Sequence, residues 1–315
     1  IRRDLKEIIP LVLSNKIYKN RLMFCSDGLY PSDITNIGHI DHCVRESIKL
    51  GMNPIDAICM ASRNCFDYYK MGNEFGGIGP GKIADILILD DYKKIKINKV
   101  ILGGKIVVSD GKLVQQLHTP KVPAWMHKTV KIPKLYPKFF NVNSKNTDET
   151  VNTILMKTEI VTQKNISNLD VKDSNVVASY DKDIWKVAAL DRTFGSKTHA
   201  VGFLENFGAD IGAFASTWSF HENDMIVIGS NENDMADACN KLTKSQGGLI
   251  IVKDGKTLAS LPFQLGGIIS TDPIEKVTKN FTKINDVLSN SGCKFKKPHL
   301  IPLFLPFLAL PDIRI

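Results

Sequence analysis

Near the start of the chain, apolar side chains recur every three or four residues, the spacing that places them on one face of a helix. In residues 4–19 these positions are Leu5, Ile8, Ile9, Val12 and Leu13. A second stripe runs through residues 39–50, with Gly38 before it and Gly51 just past its end. Asn53, followed by proline, suits the cap of another helix. The pattern therefore predicts three helices near the start of the chain.

Strand-like patterns occur in two places before residue 115. Residues 22–27 begin with apolar side chains and end in an acid, Asp27, so we predict a short strand there. Residues 86–114 hold apolar runs interrupted by Gly103-Gly104 and Asp110-Gly111, and such pairs are typical of tight hairpin turns. This second stretch predicts a β meander.

Beyond residue 150, strands and helices are predicted to alternate. The predicted strands are residues 184–190, 201–204 and 225–228, followed by a hairpin at 249–259. The predicted helices begin after the polar run 230–234 and near residue 273. The apolar tail 303–310 is expected to be buried, and the four prolines between residues 118 and 150 predict an extended connector.

Composition restricts the class of protein. With 43% hydrophobic and 23% charged residues, the chain is typical of a globular protein. No apolar run approaches the roughly 20 residues that cross a bilayer, so we expect a cytoplasmic location and no membrane partner. The six cysteines form no CxxC pair and are predicted to be reduced and mostly buried.

The positive charge of the chain does not by itself indicate nucleic-acid binding. The net charge is +8, but 34 of the 41 basic residues are Lys. Arg is the residue that suits phosphate and base recognition. We therefore expect a solvated, Lys-rich surface and no nucleic-acid partner.

Two acidic residues lie at positions where a metal-binding or proton-accepting carboxylate can occur. Asp27 ends a predicted strand, and a carboxylate at the carboxyl end of a barrel strand can bind a divalent metal and accept a proton. A Ser-Asp-Gly sequence is also an ordinary turn, so the residues alone leave both interpretations open. Asp85 precedes the first strand of the meander, where an acid accepts backbone N–H bonds. We expect a structural role for Asp85.

Three stretches carry a resemblance to a known family. FCSDGLYPSDITNIGHIDHC, followed by GGIGPGKIADILILDD, resembles the adenine deaminases of the amidohydrolase superfamily in motif and in order. The second stretch is specific for the superfamily, and GHID beside the SD strand narrows the resemblance to adenine deaminases. DRTFGSKTHAVGFLENFGADIGAFAS is similar to the extra carboxyl-terminal domain of that family.

The resemblance implies an α/β protein with several parts. Residues 1–72 are expected to form the end of a (β/α)8 barrel of a metal-dependent hydrolase, with strand eight and its flanking helices. Residues 73–117 are expected to form a small composite β-sandwich domain, and 118–150 a connector. Residues 151–315 then correspond to the α+β carboxyl-terminal domain. The resemblance also implies a homodimer.

The resemblance further implies hydrolytic deamination of adenine, or a related purine, to hypoxanthine and ammonia by a metal-activated water. Asp27 is then the strand-eight metal ligand and the proton shuttle. The family uses a two-metal centre of manganese or iron, whose other ligands we expect upstream of Ile1. We do not expect this chain alone to retain the metals.

Departures from the family pattern leave other interpretations open. Gly28 stands where the family has a second acid, and the loop 218–224 differs from the HDSHN-like run of the family. His39, His221 and Glu222 are candidates for polar support of the site. One alternative is a non-catalytic remnant or dimerisation module. Another is an amidohydrolase of altered specificity.

Overall fold

The computed structural model describes residues 4–15, 18–115, 121–220 and 222–315. The chain has a mixed α/β fold and divides into two compact units, Ile1–Pro120 and Lys121–Ile315. No helix of the described residues is long and apolar enough to cross a membrane. All six cysteines are free thiols, but Cys239 and Cys293 are the buried ones, so the prediction of mostly buried thiols is wrong.

Helices form the first part of the first unit. They are α1 (Leu5–Ser14), α2 (Pro31–Asn36), α3 (Ile40–Lys49), α4 (Pro54–Met60) and α5 (Arg63–Tyr68), with a 3₁₀ helix at Lys19–Arg21. The three predicted helices are confirmed as α1, α3 and α4, although α1 ends at Ser14. Ile9 and Val12 of α1 pack against Val44 and Met60 in one core. The Asn53 side chain accepts the Ile55 N–H and caps α4, as predicted.

The strand predicted at residues 22–27 is wrong. This segment carries no strand assignment, although Leu22 has extended backbone angles. It is anchored by the Phe24 N–H, which donates to Met60 O, and by the Asn64 amide, which donates to Leu22 O. A strand requires a neighbouring strand to accept and donate along its whole length. Within the described residues, this segment has none.

The predicted meander is confirmed as an antiparallel sheet in the second part of the first unit. Its strands are β1 (Ile86–Asp91), β2 (Lys96–Leu102), β3 (Lys105–Ser109) and β4 (Lys112–Leu113), in that spatial order. The Asp85 carboxylate accepts the Gly103 N–H at 2.8 Å. This bond ties the start of β1 to the β2–β3 turn, which is the structural role expected of Asp85.

A large sheet organises the second unit. Its strands are β5 (Asp148–Met156), β6 (Thr162–Lys172), β7 (Asn175–Val176), β8 (Ile184–Asp191), β9 (His199–Glu205), β10 (Ala213–Ser216), β11 (Asp224–Gly229), β12 (Gly248–Lys253) and β13 (Lys256–Pro262). The spatial order is β13-β12-β10-β11-β8-β9-β5-β6-β7. Only the β5–β9 pairing among these described strands is parallel. The strands predicted at β8, β9 and β11 and the β12–β13 hairpin are confirmed.

The helices of the second unit are α6 (Glu232–Ser245), α7 (Ile274–Asn290) and α8 (Ile301–Phe304), with 3₁₀ helices at Ala124–His127, Pro137–Phe140 and Pro298–Leu300. Successive residues of a strand point to opposite faces. Accordingly, Val187 joins a core with α7, whereas Ala188 joins a core with α6. Residues 121–150 belong to this unit, and Val130 and Phe140 are buried in the core that contains α6.

The apolar tail is buried only in its first half. Leu303, Phe304 and Leu305 are buried, but Leu308 is 76% exposed. The chain reverses direction here, since the Ile315 N–H donates to Leu305 O. Leu308 therefore lies in the returning turn, where no second layer covers it.

Candidate functional site

A cavity of about 810 Å³ lies in the first unit. Its wall combines side chains of α1, the segment 22–29 and residues between Asp33 and Glu46. Ile9, Val12 and Phe24 supply part of the apolar lining. The polar and thiol lining comprises Asp4, Lys6, Cys25, Ser26, Asp27, Asp33, His39, His42, Cys43 and Glu46. The first unit therefore presents a concave surface lined by apolar side chains together with acids, imidazoles and a lysine.

Asp27 lies in the wall of this cavity with an exposed side chain. Its φ of +50° is in the left-handed region, which non-glycine residues rarely occupy and which Asp tolerates better than most. The carboxylate is thus held at a backbone turn at the end of the segment 22–27. Its role as a metal ligand and proton shuttle stays a prediction.

His39 lines the same cavity and contacts the residue before Asp27. His39 Nε2 lies 3.2 Å from Ser26 Oγ. Either tautomer permits this hydrogen bond, because a hydroxyl can both donate and accept. The contact joins two chain segments that are 13 residues apart.

Asp41 holds the backbone of His39. The His39 N–H donates to Asp41 Oδ1 at 2.7 Å, and Arg45 Nη1 donates to Asp41 Oδ2 at 2.6 Å. Burial raises the pKa of Asp41, but the hydrogen bond from His39 and the charge of Arg45 outweigh burial and hold the pKa below its ordinary value of 3.8. Asp41 is therefore ionised at neutral pH.

The lowered pKa makes a prediction about stability and pH. A carboxyl group whose pKa is lowered by folding stabilises the folded state above the unfolded value, here 3.8, and loses that effect as pH falls through the lowered value. Asp41→Asn should therefore lower the unfolding temperature at neutral pH. At pH values well below 3.8, the difference in unfolding temperature between the wild type and this variant should become smaller. Thermal unfolding followed by circular dichroism measures it. An undiminished difference at acid pH contradicts this assignment.

The described residues by themselves do not fit a two-metal centre. They contain no group of three or more His, Cys, Asp or Glu side chains placed to hold a metal ion. His39 and His42 both line the cavity, three positions apart. A catalytic metal needs about three protein ligands besides its water. No chemical step can therefore be assigned to a metal held by these residues alone.

The other two predicted support residues fall in the second unit. Glu222 Oε1 accepts the Leu308 N–H at 3.3 Å, which ties Glu222, just before β11, to the tail. His221 lies outside the described residues. Their predicted role near the site stays a prediction.

Several residues in or beside the cavity were not identified from the sequence. Ser26, Asp33 and Cys43 line the cavity, and Ser26 acts through His39, 13 residues further along, so no local pattern marks it. Arg45 is not part of this lining but holds the loop that carries His39. A usable signal was present for Arg45, since Asp41 and Arg45 are four positions apart on a predicted helix, where opposite charges pair.

Two family models match the chain. The model described as amidohydrolase family matches residues 1–107, and the model described as adenine deaminase C-terminal domain matches residues 159–315. The first covers the cavity and the meander as far as the middle of β3. The second covers most of the large sheet with α6 and α7.

Curated relatives match along the whole chain. A protein of Cenarchaeum symbiosum (strain A) named adenine deaminase is 52% identical over 315 residues, covering 100% of this chain and 52% of that protein. Proteins of the same name from Clostridium botulinum (strain 657 / Type Ba4) and Kosmotoga olearia are 31% and 32% identical, over 99% and 100% of this chain and 53% and 54% of those proteins. The chain thus spans about half the length of the curated relatives it matches.

Proposed function

Because this chain belongs to the adenine deaminase family within the amidohydrolase superfamily, we propose that it is part of an enzyme that deaminates adenine hydrolytically to hypoxanthine and ammonia. One observation carries the proposal. Identity of 52% to a protein named adenine deaminase extends over all 315 residues. The matched region therefore includes both the residues of the cavity and those of the large sheet.

In this proposal the cavity of the first unit is part of the adenine site. Its volume of about 810 Å³ falls in the range of roughly 300–1,000 Å³ that is usual for small-molecule sites. The apolar lining can contact the faces of a purine ring. The exposed Asp27 carboxylate, in the cavity wall, can accept a proton from the attacking water and return it to the leaving amine.

The part of the relatives that this chain does not span is proposed to complete the site. Amidohydrolases are metal-dependent, and Asp27 offers one carboxylate toward a metal. We propose that further ligands come from the remaining half of a relative-length protein, and that the metal is manganese or iron. In such a protein residues 1–72 would complete a (β/α)8 barrel. A cytoplasmic homodimer stays a prediction.

A non-catalytic remnant is the second candidate. The observation in its favour is that the described residues provide no group of three metal ligands. In that case the two units would serve only association, and the cavity would have no substrate. Both candidates place the same residues in the same fold, so turnover must separate them.

The test joins this chain behind the part of the Cenarchaeum symbiosum relative that it does not span. With manganese or iron added, the joined protein should consume adenine and release hypoxanthine and ammonia in equal amounts. The unmodified relative is the positive control. A joined protein that unfolds at the temperature of the relative but forms no hypoxanthine contradicts the proposal and favours the remnant.

A further inference from the structure

The GHID sequence, residues 38–41, is placed so that it can hold the segment that carries Asp27. That segment has no partner strand among the described residues, so side-chain contacts from Asn64 and His39 supplement the backbone bond from the Phe24 N–H to Met60 O in placing it. The hydrogen bond between Ser26 Oγ and His39 Nε2 lies one residue before Asp27. It connects this segment directly to the first residue of the GHID motif that has a side chain.

The loop before α3 is held at both ends by Arg45. Arg45 Nη2 donates to Ile37 O at 2.9 Å, while Arg45 Nη1 pairs with Asp41, which in turn accepts the His39 N–H. The backbone on both sides of Gly38 is therefore attached to one helical side chain. These bonds fix the backbone position from which the His39 side chain extends.

Gly38 is required for the same arrangement. Its φ is +118°, a conformation that L side chains rarely adopt. A Cβ at this position would lie 2.7 Å from Arg45 Nη2 and 2.8 Å from Asp41 Oδ2. Any side chain at position 38 would therefore push apart the ion pair that holds His39.

We propose that Ser26 and His39 form a positioning pair, which fixes the turn at Asp27 against the cavity, and that Gly38, Asp41 and Arg45 orient His39 for this task. The inference rests on the proposed function, because the position of Asp27 affects a rate only if the cavity is catalytic. Neither Ser26 nor His39 needs to touch the substrate in this role. A displacement of about 1 Å at a reacting group can cost about 100-fold in rate.

The kinetic test uses the joined protein of relative length. Ser26→Ala and His39→Ala should each lower kcat about 10–100-fold with little change in KM for adenine, since the pair acts on the turn at Asp27 and not on binding. The double variant should be no worse than either single variant, because both remove one contact. Ser26→Thr keeps the hydroxyl, and His39→Gln places an amide near the position of Nε2, so both should recover most of kcat.

A matched control comes from the same unit. Arg63 is 71% exposed and pairs with Asp67 on the surface of α5, so Arg63→Ala should leave kcat unchanged. Additive losses from Ser26→Ala and His39→Ala, or an unchanged kcat in Ser26→Ala, overturn the proposal. A loss that appears only in KM also overturns it.

A second measurement does not depend on activity. The Phe24 N–H, two residues before Ser26, donates to Met60 O, so its hydrogen exchange reports opening of the segment. In this chain, the Phe24 amide should exchange faster in the His39→Ala variant than in the wild type. Slow exchange of the same amide should return in the His39→Gln variant. Unchanged exchange in His39→Ala overturns the positioning role. If the Phe24 amide exchanges faster in His39→Ala but the joined protein does not turn over adenine, the positioning role stands. In that case only the proposed function is refuted.

Discussion

Replacing Asp27 by asparagine is expected to lower kcat for adenine by about 10²–10⁴-fold in the joined protein, which is the usual contribution of a positioned acid or base. Asparagine has the same size and also tolerates the left-handed backbone, here with φ of +50°. The substitution therefore removes the charge and the capacity to hold a proton while leaving the turn intact. Hypoxanthine formation at saturating adenine measures the effect.

Asp110→Asn is the matched control for Asp27→Asn. Asp110 also has a left-handed backbone, with φ of +49°, and lies in the β3–β4 turn of the same unit, exposed to solvent. It does not line the cavity. Its replacement should leave kcat unchanged. Equal effects of the two substitutions would show that the loss at Asp27 comes from backbone strain, and would remove Asp27 from the site.

Replacing Lys186 by alanine is expected to destabilise the second unit by about 3–5 kcal/mol, the cost of breaking a buried ion pair from one side. The Lys186 side chain is 1% exposed and lies 2.6 Å from Glu232 Oε1. Its ammonium also donates to Phe140 O and Asn175 Oδ1. Burial lowers the pKa of Lys186, and the Glu232 carboxylate opposes that effect. The alanine variant leaves the half-buried Glu232 without its countercharge.

Urea unfolding followed by tryptophan fluorescence measures this loss. Trp125, Trp185 and Trp218 all lie in the second unit, so the signal reports that unit alone. Lys276→Ala is the control, because Lys276 is 61% exposed and pairs with Asp272 beside the start of α7. That surface pair should contribute less than about 1 kcal/mol. A Lys186→Ala variant as stable as Lys276→Ala contradicts the assignment of the buried pair.

Local patterns predicted α1, α3, α4, α6 and α7, because apolar spacing and caps depend on neighbouring residues, but they missed the short helices α2, α5 and α8. Asn53 caps α4, and Asn231 caps α6 by accepting the Asp234 N–H. Both caps use bonds within three residues of the chain. The same holds for the β12–β13 hairpin, whose Asp254-Gly255 turn adopts the positive φ values that such turns need.

Strand pairing was not predictable to the same degree. Residues 22–27 have strand-like composition, but the described residues place no strand beside them. The opposite error occurred at β5 and β6, which were not predicted because most of their residues are polar. They nevertheless pair over nine residue positions, from Asp148↔Asp170 to Met156↔Thr162. A strand depends on a partner, and the partner is not encoded in the strand itself.

The sequence by itself indicated the family, five of the helices and two cavity residues, Asp27 and His39, since motifs and apolar spacing are local properties. Only the tertiary structure decided that Ser26 contacts His39 and that Gly38 has no room for a Cβ beside Arg45. It also decided that Lys186 is a buried cation with three acceptors. These contacts join residues that are not neighbours in the chain, 46 positions apart for Lys186 and Glu232 and 13 for Ser26 and His39, and their geometry exists only once the intervening elements have packed.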